Sequence, residues 1–169
     1  EYNNKTSLDL KNDTPYAGKT YYGYVKSEAG LEGSCTGVVK RDTTAPSKPA
    51  ITNPSGGWTN QNFKLTLNSS DSNSGLAKWY YSYTTSSATS TAGWTEYQNS
   101  SGVSPYVTSE FSKERNQLVY IKVCDIAGNC SVDSTMIQID KTAPTCKITP
   151  SGDNDLTNGW YNTNVTLTL

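Results

Sequence analysis

Four cysteines and no histidine set the limits of the chemistry open to this chain. Without histidine, serine and cysteine nucleophiles lose their common base, and no glycine-rich phosphate loop or spaced set of zinc ligands takes its place. Carboxylate pairs are the remaining catalytic option. Asp125, Asp133 and Glu110 would have to meet in a cleft, and thin β proteins seldom provide one. No catalytic residue and no cofactor are therefore expected. Disulfide chemistry is better placed, because Cys124 and Cys130 bracket a short turn-like stretch, Asp125 to Asn129. If strands flank that turn, the two cysteines face each other on adjacent antiparallel strands at a distance that suits a disulfide. Cys35 and Cys146 have no such neighbour and are expected to be unpaired in this chain.

Oxygen donors form a second group. Asp71-Ser72-Asn73-Ser74-Gly75 places them at alternate positions, as calcium loops do, and Asp125, or Asp42 and Asp140, could add carboxylates. No bidentate glutamate follows at the calcium-loop distance, so Asp71 and Asn73 are weak calcium candidates. The plainer expectation is a turn whose side chains bond their own backbone, with no metal. Aromatic residues form a third group: Tyr80, Tyr120, Trp94, Tyr97 and Tyr106. Tyr80 and Tyr120 are expected to point outward from neighbouring strands, where rings can stack on a glycan or anchor a protein partner, although tyrosine also stabilises sheets by pairing across strands. A lysine to asparagine isopeptide bond would need a buried lysine beside an acid, and no lysine is patterned inward. Six Asn-x-Ser/Thr sequons, at Asn4, Asn12, Asn68, Asn99, Asn129 and Asn164, are what a chain rich in Asn, Ser and Thr produces by chance.

The elements that must position these residues read as strands. Phe63, Leu65 and Leu67 alternate with Lys64, Thr66 and Asn68, and Val165, Leu167 and Leu169 repeat the pattern; each apolar set should face a core. Leu76 to Tyr83 presents Trp79, Tyr81 and Tyr83 on one face, with Trp79 inside. Leu118 to Asp125 buries Val119, Ile121 and Val123, and the returning strand buries Ile137 and Ile139. Further strands are expected near Pro49 to Asn53, Trp94 to Gln98 and Tyr106 to Phe111. Residues 84–93 read as a small, polar loop and Lys113 to Gln117 as a charged turn.

The chain also repeats itself. A shift of 98 positions lays Tyr22 on Tyr120, Val25 on Val123, Ala29-Gly30 on Ala127-Gly128, and Asp42-Thr43-Thr44-Ala45-Pro46 on Asp140-Lys141-Thr142-Ala143-Pro144. Pro54-Ser55-Gly56 and Gly57-Trp58 recur as Pro150-Ser151-Gly152 and Gly159-Trp160. A period of roughly 100 residues is the size of one small β-sandwich. It divides the chain into the closing part of one repeat (residues 1–42), a complete repeat (43–141) and the opening strands of a third (142–169). The joints carry a proline, which has no amide hydrogen for a ladder and biases its predecessor to extended geometry, so the chain should pass straight from one unit to the next. The terminal pieces hold half a core each, and any ordered strands in them should be completed by further chain or by a neighbour.

The hairpin VCDIAGNCS and the joints IDKTAPT and KRDTTAPS resemble the tandem bacterial immunoglobulin-like repeats of surface and secreted proteins, over nearly the whole chain. The resemblance implies an all-β fold of tandem sandwiches with about seven strands each, an extracellular or bacterial cell-surface location, and adjacent repeats of the same protein as neighbours. Composition agrees with the class. Hydrophobic content of 34% is low, but it is spent in short alternating runs. A net charge of -1 with 17% charged residues gives no basic field for nucleic acid, and no run is long enough to insert in a membrane. The functional expectation is a non-catalytic spacer or stalk. The alternative is an adhesive module that binds a glycan or host protein through Tyr80, Tyr120, Trp94 and Tyr97.

Overall fold

Alternation builds the central sheets. In the computed structural model, which describes residues 7–152, 155–156, 160–161 and 163–169, Leu65 and Leu67 are fully buried while Lys64 and Asn68 are exposed. The strands, in chain order, are β1 (Lys19–Lys26), β2 (Glu32–Val39), β3 (Ala50–Thr52), β4 (Thr66–Asn68), β5 (Leu76–Ser82), β6 (Thr95–Glu96) and β7 (Tyr106–Val107). They continue with β8 (Arg115–Asp125), β9 (Cys130–Ile139), β10 (Thr149–Ser151), β11 (Asp155–Leu156), β12 (Trp160–Tyr161) and β13 (Thr166–Thr168). No helix occurs among the described residues, so none is long and apolar enough to cross a membrane.

Between residues 43 and 141 the strands form two antiparallel sheets, one in the order β3-β4-β7 and one in the order β6-β5-β8-β9. Their inner faces share a core of Phe63, Leu65, Leu67, Trp79, Tyr97, Phe111, Val119, Ile121, Val123, Ile137 and Ile139. The register makes this possible: Trp79 lies opposite Val123 and Tyr81 opposite Ile121, and a slip of one residue would turn every one of these side chains towards water. Trp79 fills the middle of the core. Its indole Nε1 donates to the Val103 carbonyl at 2.8 Å and its backbone N–H to Ser100 Oγ at 3.1 Å, so its polar atoms are paired inside the apolar layer.

Two turns close the end of this unit that meets the first joint. Gly75 (φ 80°) ends the turn after β4 and Gly128 (φ 95°) forms the β8–β9 turn, both in the left-handed region where a Cβ is costly. The two turns touch: Ile126 N–H donates to the Gly75 carbonyl at 3.1 Å.

The observed structure departs from the sequence reading in four places. β8 begins at Arg115, inside the stretch read as a charged turn, because β9 is long enough to pair with it down to Ile139. Phe63 and Phe111 join their segments by an isolated bridge instead of continuous strand. Lys122 was expected in solvent, opposite in phase to Val123, yet it is only 3% exposed. The loop over residues 84–93 folds across the outer face and the Lys122 ammonium donates to the Ser90 carbonyl at 3.0 Å. The fourth departure is at the ends of the chain. β1 and β2 form a hairpin with Tyr22 opposite Thr36, and β10 pairs with β13. Tyr22, Val25 and Val38 of the hairpin, and Leu167 and Leu169 near the other end, are exposed rather than facing a core. No second sheet lies over them among the described residues.

Candidate functional site

The joint Asp42 to Pro46 gathers polar side chains from the segments on both sides of it. Asp42 starts it by accepting the Thr44 N–H on Oδ1 at 2.9 Å, a turn closed by its own side chain. Asp140 does the same with the Thr142 N–H at 2.9 Å in the next joint. The sequence repeat is thus a repeat of geometry.

Contacts tie this joint to the segment before it and to the repeat after it. From the preceding piece, Asp13 accepts the Thr43 N–H at 3.0 Å, the Thr43 hydroxyl at 2.8 Å, the Thr44 hydroxyl at 2.7 Å and an Arg41 guanidinium N–H at 2.9 Å. The Thr44 and Thr43 hydroxyls are the main reason that the Asp13 carboxyl is held below its ordinary range; burial opposes them, and the Thr43 N–H and Arg41 add to the lowering. On the other side, Asp42 Oδ2 accepts the Ser74 N–H at 2.9 Å, the Asn129 amide donates to the Asp42 carbonyl at 3.3 Å, and the Ser131 hydroxyl donates to the Pro46 carbonyl at 2.6 Å. The Ser74 side chain is the largest cause of a lowered Asp42 pKa, against partial desolvation and helped by the Thr44 and Ser74 N–H groups and the Asn73 amide. A crevice of about 300 Å³ runs alongside, between Tyr16 and Lys40 on one side and Ser74 and Ile126 on the other.

Three carboxylates converge here. Ligand oxygens of Asp42, Asp71 and Asp125 all lie within 4.8 Å of one another, with Asp125 buried. Each comes from a different segment: the joint, the turn after β4 and the end of β8. Backbone and amide donors hold them in place, since Asp71 Oδ1 accepts the Asn73 and Gly75 N–H groups at 3.1 and 2.8 Å, and Asp125 accepts the N–H and the side-chain amide of Asn129, each at 2.8 Å. No lysine or arginine among the described residues pairs with any of the three. An all-oxygen set of this kind suits a hard cation such as calcium. Of the sequence candidates, Asp71 belongs to the set and Asn73 turns its amide N–H towards Asp42. Asp140 lies in the other joint.

The aromatic candidates are scattered by the fold. Tyr97 is a core residue, 6% exposed, with its ring centroid 4.8 Å from that of Tyr81, which removes it from any exposed binding face. Tyr106 is half-buried and donates its hydroxyl to the Gln98 carbonyl at 2.9 Å. Tyr80 and Trp94 do come together, but around a side chain of their own: the Lys122 ammonium lies 5.0 Å from the Tyr80 ring and 4.6 Å from the Trp94 ring. Burial lowers the Lys122 pKa. Tyr120 is half-buried, opposite Ser82 and Ser134. Lys122 is thus the buried lysine that strand phase did not reveal. Its hydrogen bond is to a backbone carbonyl.

Cys124 and Cys130 are register partners and form a disulfide, with Cα atoms 4.1 Å apart. Cys35 and Cys146 are exposed free thiols. Sequence reasoning missed Asp13, Ser74 and Asn129 as joint residues, and only Asn129, in a turn followed by a strand, carried a signal that could have suggested one. Compared with protein-family models, with curated proteins and with solved structures, the chain matches none.

Proposed function

We propose that this chain is a non-catalytic stretch of tandem immunoglobulin-like repeats from a secreted or surface-anchored bacterial protein, and that it acts as an elongated spacer or stalk. The observation that carries the reading is the joint. A short connection that is hydrogen-bonded to the segment before it through Asp13, and to the repeat after it through Ser74, Asn129 and Ser131, resists bending. The second joint is tied to the repeat before it, with Glu114 accepting the Lys141 N–H and the Thr142 hydroxyl, each at 2.8 Å. A carboxylate that bonds a joint threonine recurs at both places, as a device for fixing direction should.

The strand order supports the immunoglobulin-like assignment, since a β3-β4-β7 sheet facing a β6-β5-β8-β9 sheet is the arrangement of a sandwich whose last strands form a long hairpin. The disulfide supports export. A hard cation on Asp42, Asp71 and Asp125 would add a further tie between the joint and the two turns below it. Of the four rings of the adhesive alternative, Tyr80 and Trp94 flank Lys122 and Tyr97 is in the core, which leaves the half-buried Tyr120 as the one not so engaged among the described contacts.

Small-angle scattering on the chain tests the reading. The spacer predicts an extended particle whose dimensions do not change between low and high salt, and whose flexibility increases on Asp13→Ala. A compact, folded-back particle, or one already flexible in the wild type, would remove the spacer.

A further inference from the structure

The two unpaired cysteines occupy matched positions of the repeat. Cys146 stands two residues after the joint proline Pro144, as Lys48 stands two after Pro46; Cys35 stands seven residues before Asp42, as Asp133 stands seven before Asp140. The central unit shows what these positions do. Residues 46–53 run beside β9 in the same direction: the Ser131 hydroxyl donates to the Pro46 carbonyl at 2.6 Å, and the Asn53 amide donates to the Met136 carbonyl at 2.9 Å. Between these two contacts the Lys48 ammonium lies 3.1 Å from Asp133 Oδ1. The first and last segments of one repeat are therefore joined at this position by an ion pair. It is open to solvent, with the Lys48 and Asp133 side chains 69% and 33% exposed.

The end pieces keep the local geometry of the central unit. Cys35 lies opposite Gly23 in the β1–β2 hairpin, as Asp133 lies opposite Ile121 in β8–β9, and β10 pairs with β13 as β3 pairs with β4. Gly23 leaves room for the thiol, since a Cβ there would come within 2.6 Å of the Cys35 sulfur. Each piece thus carries one half of the position, with an exposed thiol in place of a charge. Each also leaves apolar residues in water: Val25, on the same hairpin face as Cys35, and Ile148 and Leu167 on the other piece. We propose that Cys146 of one copy forms a disulfide with Cys35 of a second copy, where the central unit has Lys48 and Asp133, so that β10 and β13 of one chain complete the β1–β2 hairpin of the next. A small thiol on either cysteine would leave those apolar residues uncovered. The contact joins two different surfaces, and so links copies head to tail. The oxidant is a small-molecule disulfide. The Cys35 thiolate displaces one of its thiols to form a mixed disulfide, and the Cys146 thiolate then attacks the Cys35 sulfur and releases the other. The two protons lost by the cysteines leave on the two released thiols. The inference rests on the repeat geometry and not on the spacer role.

The test uses the whole chain, glutathione disulfide as oxidant, and non-reducing electrophoresis with peptide mapping by mass spectrometry. The wild type is expected to give a ladder of linked copies whose new bond is Cys35 to Cys146. Cys35→Ser and Cys146→Ser, each alone, should remain monomeric, while an equal mixture of the two should form a dimer of one of each. Docking raises the effective concentration of the matched thiols, so the mixture should contain about tenfold more dimer than either variant alone. A mixture no more dimeric than its components overturns the proposal. So does wild-type protein that links Cys35 to Cys35, or Cys146 to Cys146, as often as Cys35 to Cys146, or that joins the two within one chain. A further arm tests the matched positions by themselves. In a chain with Cys35→Ser and Cys146→Ser, Lys48→Cys with Asp133→Cys should close a second disulfide within the chain, and two free thiols there after oxidation would overturn the geometry on which the link depends.

Discussion

Reducing the Cys124–Cys130 disulfide should weaken the central unit without unfolding it. The bond closes a loop with a sequence separation of 6, and loop-closure entropy in the unfolded chain gives about 2.4 kcal/mol for so small a ring. Nothing in the core is lost with it, because β8 and β9 remain paired from Arg115 opposite Ile139 to Val123 opposite Ser131, and the side chains around Trp79 come from both sheets. For a unit of roughly 100 residues, that free energy lowers the unfolding temperature by roughly 10–19 °C. The assay is thermal unfolding followed by tryptophan fluorescence, with and without reductant, in a chain whose exposed Cys35 and Cys146 are replaced by serine so that they cannot exchange. Hydrogen exchange should quicken at Ile126 to Asn129 and remain slow at Val119 and Ile121. Loss of the whole transition at room temperature would refute the reasoning, since the core would then depend on the bond. An unchanged unfolding temperature would refute it from the other side.

Four more outcomes follow from the same geometry. Leu67→Ala, at a fully buried position, should cost about 2–5 kcal/mol in chemical denaturation, while Met136→Ala on the exposed face should stay within about 0.5 kcal/mol. Trp79→Phe strands the Val103 carbonyl, and a loss below about 1 kcal/mol would show that the 2.8 Å bond contributes little. Asp13 and Asp42 are both held below the ordinary carboxyl pKa of about 3.9. Their contribution is therefore present above that value and fades as pH falls through the lower folded values. Unfolding temperature measured against pH should fall less steeply below about pH 4 in the Asp13→Asn, Asp42→Asn double variant than in the wild type. Finally, millimolar calcium should raise the unfolding temperature of the wild type, chelator should reverse the gain, and Asp71→Asn should remove it; identical melting with calcium and with chelator would exclude a cation from the three carboxylates.

What the sequence by itself determined is periodic or adjacent. Leu65 and Leu67, and Val119, Ile121 and Val123, are buried because a strand alternates its side chains, and one face of each sheet had to leave water. The disulfide was legible because two cysteines a short turn apart meet whenever the hairpin forms. The Asp71 to Gly75 turn was legible because a side chain that bonds its own backbone needs no distant partner, and the recurrence of Asp42 as Asp140 was legible as a repeat, though not the turn that each carboxylate closes. Tertiary structure decided the rest. Lys122 has the phase of a solvent-facing residue and is buried only because a loop without any period, residues 84–93, lies across it. Tyr97, next to the exposed Glu96 that ends β6, enters the core through its contacts with Tyr81 and Tyr106. Asp42, Asp71 and Asp125 are far apart in the chain and converge because β5 pairs with β8 and so brings two turns to the end where the joint arrives. Arg115 looked like part of a charged turn, and only the closing of two sheets beside it brought its guanidinium against Tyr83 and Phe111. Such placements depend on which surfaces meet, and local pattern carries no record of that.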